Sequence, residues 1–271
     1  MNTPSRPRAT KIICTIGPAT DTSDMLGQLI EAGANVFRLN MSHSKHDWVR
    51  EVVFRIRRKA AELEANVAIL FDLQGPSIRT GDLAEPYHLK KGDTVEIRLG
   101  TAKPELPFST TVNYDGLLQD VQAGHTMVVD NGGILMRIAE VRPDRLICDV
   151  LTEGVFGSRR HINLPGVALR LPALTEKDLA DLAVAVECET DYVAMSFVRD
   201  AAHIAQLREH IDNLGGKAQI VAKIEDQQAV RHIDDIILAA DVIMVARGDL
   251  GIEVSIEELP IIQRRIVRHC H

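Results

Sequence analysis

At 271 residues, 45% hydrophobic and 25% charged, the chain has room for one large domain or two smaller ones and the composition of a globular protein, not a disordered one. A formal net charge of −7 argues against nucleic acid as a partner, and the lack of any apolar run of roughly 18–20 residues argues against a helical membrane span. The basic, polar start has no apolar stretch of a secretory signal, and Cys14, Cys148, Cys188 and Cys270 lie far apart without CxxC spacing, so a cytoplasmic chain with reduced thiols is expected. An acidic chain of this kind can hold an anionic phosphate only through a local cluster of Arg, Lys or metal.

In chain order, a strand is expected over Thr10–Ile16, a helix over Thr22–Ala32 and a strand over Asn35–Ser42. A long helix over His46–Ala65 and a strand over Val67–Gln74 follow. The same rhythm resumes later, with helices over Leu174–Glu187, Ala201–Leu214, Gln228–Ala239 and Ile256–His271. Strands over Tyr192–Val198, Ala218–Glu225 and Asp241–Asp249 separate them. Repeated alternation of strand and helix implies parallel strands wrapped by helices, an α/β class. Helix starts carry capping residues at Asp21, Thr22 and Thr175. Between about Asp82 and Ala168 the rhythm changes to short β runs (Thr94–Leu99, Thr126–Val129, Ile134–Val141, Arg145–Leu151) broken by Gly, Pro and Asp turns, with no long amphipathic helix. The expected division is therefore 1–82 and 168–271 as two parts of an α/β unit, with 83–167 inserted between its third and fourth strands as a small all-β domain.

Strands of a buried parallel sheet should be apolar on both faces. Four of these break that rule near their C-terminal ends. Arg38, Asn40 and Ser42 share one face of their strand, and Asp72 pairs with Gln74, Lys223 with Glu225, and Arg247 with Asp249. An unpaired buried charge is costly, so such residues must meet each other, a metal or a ligand. In a (β/α) barrel the C-terminal strand ends converge on the active-site face. Asp72, Glu225 and Asp249 facing Lys223 and several Arg suit hard cations and a phosphate substrate. A purely structural ion-pair network is the alternative.

At these residues the sequence resembles the pyruvate kinase family. The carrying segments are Thr10–Pro18, Ala34–His43, Asp72–Thr80, Asn163–Gly166, Val221–Glu225 and Ile243–Glu253. The resemblance implies a TIM-type (β/α) barrel with the 83–167 insert as a lid over its mouth. It implies Mg²⁺- (or Mn²⁺-) dependent phosphoryl transfer from phosphoenolpyruvate to ADP, giving pyruvate and ATP. Glu225 and Asp249 would ligate the divalent cation, while Asn40, Ser42, Asp72 and the Leu73 carbonyl would form a K⁺ site. Lys223 would stand beside the transferred phosphoryl, and Arg38 would contact it. Gly248 and Asp249 would receive the substrate carboxylate. Arg79, Arg160 and the Asn40–His43 segment, with Ser42 and His43, would approach the nucleotide. The family also implies homo-oligomers.

The chain departs from the family in three places. Six strands are legible, and the family's seventh and eighth, a substrate-binding threonine and a C-terminal domain would follow His271, so a truncated barrel with doubtful activity of its own is expected. Ser77 stands where Glu or Lys is common, which leaves K⁺ dependence open. His161 and Asn131 depart from a common Gly and a common acid in the lid. Two other readings stay open: an inactive paralogue that binds nucleotide or phosphoenolpyruvate, and a different Mg²⁺-dependent barrel enzyme acting on pyruvate enolates.

Overall fold

The structure, a computed structural model, describes residues 9–270. The first elements are β1 (Ile13–Ile16), α1 (Ser23–Glu31), β2 (Val36–Asn40), α2 (His46–Glu62) and β3 (Ala68–Asp72). A β-rich stretch follows with β4 (Tyr87–Leu89), β5 (Thr94–Arg98), β6 (Phe108–Thr111), the one-turn helix α3 (Leu117–Asp120), β7 (Thr126–Val129), β8 (Ile134–Val141), β9 (Arg145–Val150), β10 (Gly154–Phe156) and β11 (Ile162–Asn163). Alternation then returns with α4 (Glu176–Glu187), β12 (Tyr192–Met195), α5 (Ala201–Asn213) and β13 (Gln219–Ile224). The described chain ends with α6 (Gln227–Arg231), α7 (Ile233–Ala239), β14 (Val242–Val245), α8 (Arg247–Glu253) and α9 (Leu259–His269).

Six parallel strands form one sheet in the order β1-β2-β3-β12-β13-β14. The expected α/β class holds, and β3 lies directly beside β12 although some 120 residues separate them in sequence. Helices cover the sheet through apolar stripes. On α2, Val49, Val52, Val53, Ile56 and Ala60 recur at helical spacing and are buried, while the charged residues between them face outward. Phe37, Leu39, Ile69, Phe71, Val193 and Ile220 supply the sheet's side of that core. The intervening strands form a second, mainly antiparallel sheet, β11-β7-β8-β9-β5-β6, around its own cluster of Val95, Ile97, Met127, Met136, Ile138 and Leu146. Two strips of chain join the sheets side by side. Ile162 N–H donates to Ile78 O at 2.9 Å, Thr80 N–H to Arg160 O at 2.9 Å, and Arg79 bridges His161.

Three expectations need correction. Residues 247–249 are not strand: β14 stops at Val245, Ala246 turns the chain (φ −80°, ψ 76°), and Arg247 opens α8. The single helix expected over Gln228–Ala239 is two, α6 and α7, broken at His232, whose Nδ1 is held 2.9 Å from Arg199 O. The last helix starts at Leu259 rather than Ile256, and its expected end at His271 lies outside the described residues. Among the described residues no helix is long and apolar enough to cross a membrane.

Candidate active site

The C-terminal ends of β2, β3, β12 and β13 open onto a cleft of about 400 Å³ roofed by the β-rich segment. Lys223, near the end of β13, is its best-tied cation. Its Nζ lies 2.8 Å from Glu225 Oε1 and 3.2 Å from Asp72 Oδ1, and it donates to Ser196 Oγ at 2.8 Å. Burial alone would lower the Lys223 pKa, but the charges of Glu225 and Asp72 outweigh it and hold the ammonium above its ordinary range. Asp72, 2% exposed, also takes Arg38, whose Nε donates to Oδ2 at 2.6 Å while Nη1 donates to Thr15 Oγ1 at 2.8 Å. Asp72 Oδ1 accepts no aligned hydrogen bond, so one oxygen of a buried carboxylate has only the ammonium's charge near it.

Glu225 is buried, and its Oε2 accepts the Phe197 N–H at 2.6 Å. That donor is aimed by a left-handed backbone at Phe197 (φ 54°), a conformation rare for an aromatic residue. Burial, with the Asp249 charge adding to it, pushes the Glu225 carboxyl up to about 7, while Lys223 and the Phe197 N–H oppose that rise. Two neighbouring carboxylates under such strain are a natural seat for a cation. Among the described residues no group of three or more His, Cys, Asp or Glu is arranged to cage a metal. Glu225 and Asp249, two carboxylates on one cleft with the Asp249 charge acting on Glu225, offer hard oxygen donors that fit Mg²⁺ or Mn²⁺ in its usual open form, one or two carboxylates completed by water and substrate oxygens.

Asn40, Ser42, His43, Leu73 and Asp72 all line the same cleft. Asn40 Oδ1 accepts the Ser42 N–H at 3.1 Å, and Leu73 O accepts Ser196 Oγ–H at 2.7 Å. These are neutral oxygens beside one carboxylate, donors that suit a monovalent cation. Gly75 closes the loop beyond them. It needs a positive φ of 70°, and an added Cβ would lie 3.0 Å from the Ser196 Cβ and 3.0 Å from the Phe197 ring.

On the cleft's opposite wall, Arg79 donates to Ser77 Oγ at 3.3 Å and to Arg159 O at 3.1 Å, and Arg160 pairs with Asp130 at 3.3 Å. Asn131 and His161 border the same space. Burial first, then the Arg79 charge, lowers the His161 pKa, so the ring is neutral near pH 7. Asp249 reaches the cleft from the first turn of α8, next to Gly248, where no side chain caps the helix. Arg247 does not share that face: it lines a separate groove with Ile256 and Leu259, so the expected Arg247–Asp249 pairing on one strand face is overturned by the helix. Ser196 and Phe197 escaped the sequence reading. Ser196 obeys the same signal as the others, a polar residue at the C-terminal end of an apolar strand, but carries no charge to flag it.

Residues 7–271 match the family described as pyruvate kinase, barrel domain. The chain is 40% identical to plastidial pyruvate kinase 2 of Arabidopsis thaliana over 270 residues, 98% of this chain and 46% of that protein. It is 39% identical to a pyruvate kinase of Clostridium perfringens over 264 residues, covering 97% of this chain and 56% of the relative. A pyruvate kinase of Geobacillus stearothermophilus is 40% identical over 268 residues, 97% of this chain and 46% of the relative. The chain thus spans about half the length of the curated relatives it matches. With an α/β sheet whose strand ends gather these charges, and a family match over nearly its full length, the chain belongs to the pyruvate kinase family.

Proposed function

We propose that this chain carries the phosphotransfer site of a pyruvate kinase, moving the phosphoryl group of phosphoenolpyruvate to ADP to give pyruvate and ATP. The observation that supports this most is the fixing of Lys223 by Glu225, Asp72 and Ser196 in the cleft that also holds Arg38, Arg79 and Asp249. Phosphoryl transfer needs little covalent help; it needs in-line positioning and stabilisation of charge spread over the phosphoryl oxygens. Lys223 is preorganised for that task, because its ammonium is already held in a buried frame and reorients little as charge develops.

Arg38 presents a planar guanidinium whose Asp72 contact fixes its angle, leaving donors for phosphoryl oxygens. Glu225 and Asp249 would hold Mg²⁺ or Mn²⁺, which when bound supplies charge neutralisation at the phosphoryl group and the substrate carboxylate. Asn40, Ser42, Asp72 and the Leu73 carbonyl would hold K⁺, and Ser77, hydrogen-bonded to Arg79, brings no charge of its own to replace it. The uncapped N–H groups at Gly248 and Asp249 would take the substrate carboxylate; α8 has only seven residues, so these donors count for more than any macrodipole. Arg79, Arg160, His43 and Ser42 would receive the nucleotide phosphates. The 83–167 segment would serve as a lid that excludes water, which otherwise competes for the phosphoryl group. Cytoplasmic residence and self-association are part of the same reading.

The test is pyruvate formation from phosphoenolpyruvate and ADP with Mg²⁺, with and without K⁺, by the 271-residue chain beside a Lys223→Met variant. Turnover that falls by roughly 10²–10³ or more in the variant is the expected result. A folded chain that binds neither Mn²⁺ nor phosphoenolpyruvate would sink the reading.

A further inference from the structure

Beneath the lid's return strand lies a second cavity, of about 60 Å³, space for a few water molecules. It adjoins the cleft, sharing His161, Phe197 and Glu225 with it, and its own walls include Asn163, Leu164, Asp226, Gln227 and Glu253. Asn163 belongs to β11, where its backbone pairs with Val128 of β7 in the second sheet. Its side chain points the other way, into the cavity, and Nδ2 donates to Glu253 Oε1 at 3.4 Å. Both residues are buried, Asn163 7% and Glu253 8% exposed. Glu253 closes α8, the helix whose first turn carries Gly248 and Asp249, and its carbonyl takes a hydrogen bond from the Gln227 side chain. Asn163 Oδ1 has no partner at all, an orphaned acceptor in a buried site.

We propose that Asn163 and Glu253 form a positioning pair that couples the lid's hinge strand to helix α8, and through α8 to Gly248 and Asp249. The pair is matched as an amide to a neutral carboxylic acid. A protonated Glu253 carries the O–H that Asn163 Oδ1 lacks, so donor and acceptor are satisfied in both directions. Burial, with the charge of Asp226 adding to it, pushes the Glu253 carboxyl up to about 7, and only the Asn163 amide opposes that rise. The other charged or titratable groups around the cavity are Arg199, Arg231, His161 and Glu225. The charge that acts on Glu253 is that of Asp226, a carboxylate, and no cation is among the influences on it, which is what an acid held in its protonated form requires. A movement of β11 is thereby transmitted to the turn that faces the cleft.

The pair's consequence for catalysis rests on the phosphotransfer reading, but the coupling is measurable without turnover. Amide hydrogen exchange at pH 5.5, below the Glu253 value of about 7 so that the acid is protonated, is corrected for intrinsic rates and followed in segments 161–167 and 247–254 of the 271-residue chain, with folding checked by Trp48 fluorescence. Glu253→Ala is expected to speed exchange in both segments roughly three- to tenfold, the effect of losing one buried hydrogen-bond pair. Glu253→Gln, which keeps a neutral donor and acceptor, is expected to stay within about twofold of the parent. Asn163→Ala, made on the lid side, must likewise speed exchange in 247–254, and it carries the test if Glu253→Ala does not fold. Unchanged exchange in the segment opposite each substitution would overturn the proposal, as would Glu253→Gln loosening the hinge as much as Glu253→Ala. Coupled exchange in a chain without turnover keeps the pair and counts against the phosphotransfer reading; turnover without coupled exchange does the reverse.

Discussion

Lys223 is held by two carboxylates and a hydroxyl, and the hydroxyl decides its direction. Ser196 Oγ accepts from Nζ and donates to Leu73 O, so one neutral side chain links the Lys223 ammonium to the proposed K⁺ oxygens. Ser196→Ala should leave the charge pairs intact and yet lower kcat about tenfold, with K⁺ activation weakened, because a hydrogen bond to a charged group contributes roughly 1.5–3 kcal/mol. Unaltered K⁺ dependence in steady-state kinetics would remove Ser196 from that link. Glu253 gives a prediction in pH. Its folded-state pKa, about 7, lies above its ordinary 4.5, so the native chain binds the extra proton between those values. The stability it contributes is fully present below about 4.5 and is lost as pH rises toward 7, to the extent of up to about 3 kcal/mol. Denaturant titrations across that window, in chelator, should show Glu253→Gln falling less steeply than the parent; parallel slopes would refute it. Charged residues at strand ends made Lys223, Glu225, Asp72 and Arg38 legible in the sequence. Ser196 sits at a strand end but carries no charge to flag it, and Phe197 and Glu253 were not legible as site residues because their roles come from contacts across 28 or more residues that no local pattern encodes.

Helix α4 shows how an element outside the cleft shapes it. Its start is a capping box, with Thr175 and Asp178 exchanging side-chain and backbone hydrogen bonds. The same Asp178 accepts the Gly75 N–H at 3.0 Å, and Lys177 donates to Met41 O at 2.7 Å while pairing with buried Asp181 at 2.6 Å. One helical turn thus holds the loops after β2 and β3, which carry Asn40–His43 and Leu73–Ser77. Lys177→Met is expected to cost on the order of 1–2 kcal/mol and to raise the apparent ADP requirement several-fold, since Asp181 keeps only His46 as a partner, 2.7 Å away. Thermal unfolding and ADP titration would check both halves, and a variant with normal ADP dependence would confine α4 to a structural role. The Thr175 start was readable because capping is local chemistry. The end of β14 was not: Ala246–Asp249 alternates polar and apolar like a strand, and only the burial of Leu250 and Glu253, three residues apart on one face of α8, marks the helix. The break at His232 is equally silent in sequence, with no Gly or Pro, because a tertiary contact to Arg199 O makes it.

At the scale of the molecule, the two larger apolar clusters share no residue, one beneath the parallel sheet and one inside the β-rich segment. The change of rhythm to short β runs made the second sheet legible, whereas β4, β6, β10 and β11, of two to four residues each, were too short for any periodicity to declare. Among the contacts that join the clusters are backbone bonds between 78–80 and 160–162, Arg199 reaching the Leu169 carbonyl at 2.8 Å, the His161 and Phe197 rings 5.8 Å apart, and the Asn163–Glu253 pair. Where two cores are joined mainly by polar contacts, each can open without the other. Trp48, the sole tryptophan, packs on the first cluster with Nε1 donating to Asp21 at 2.7 Å, so its fluorescence reports the parallel-sheet unit alone. Ile97 is wholly buried in the second cluster. Ile97→Ala should cost about 2–5 kcal/mol within 83–167 and speed amide exchange in β8 and β9 at least tenfold. The denaturation midpoint read from Trp48 should hardly move, whereas Ile69→Ala, in the first cluster, should shift it markedly. If Ile97→Ala displaces the Trp48 midpoint as far as it loosens β8 and β9, the two cores unfold as one, and the division at 83–167 has no energetic meaning. If the two readouts separate, the segment is an autonomous unit hung on two strips of chain, which is the mechanical condition for a lid that closes while the cleft beneath it keeps its shape.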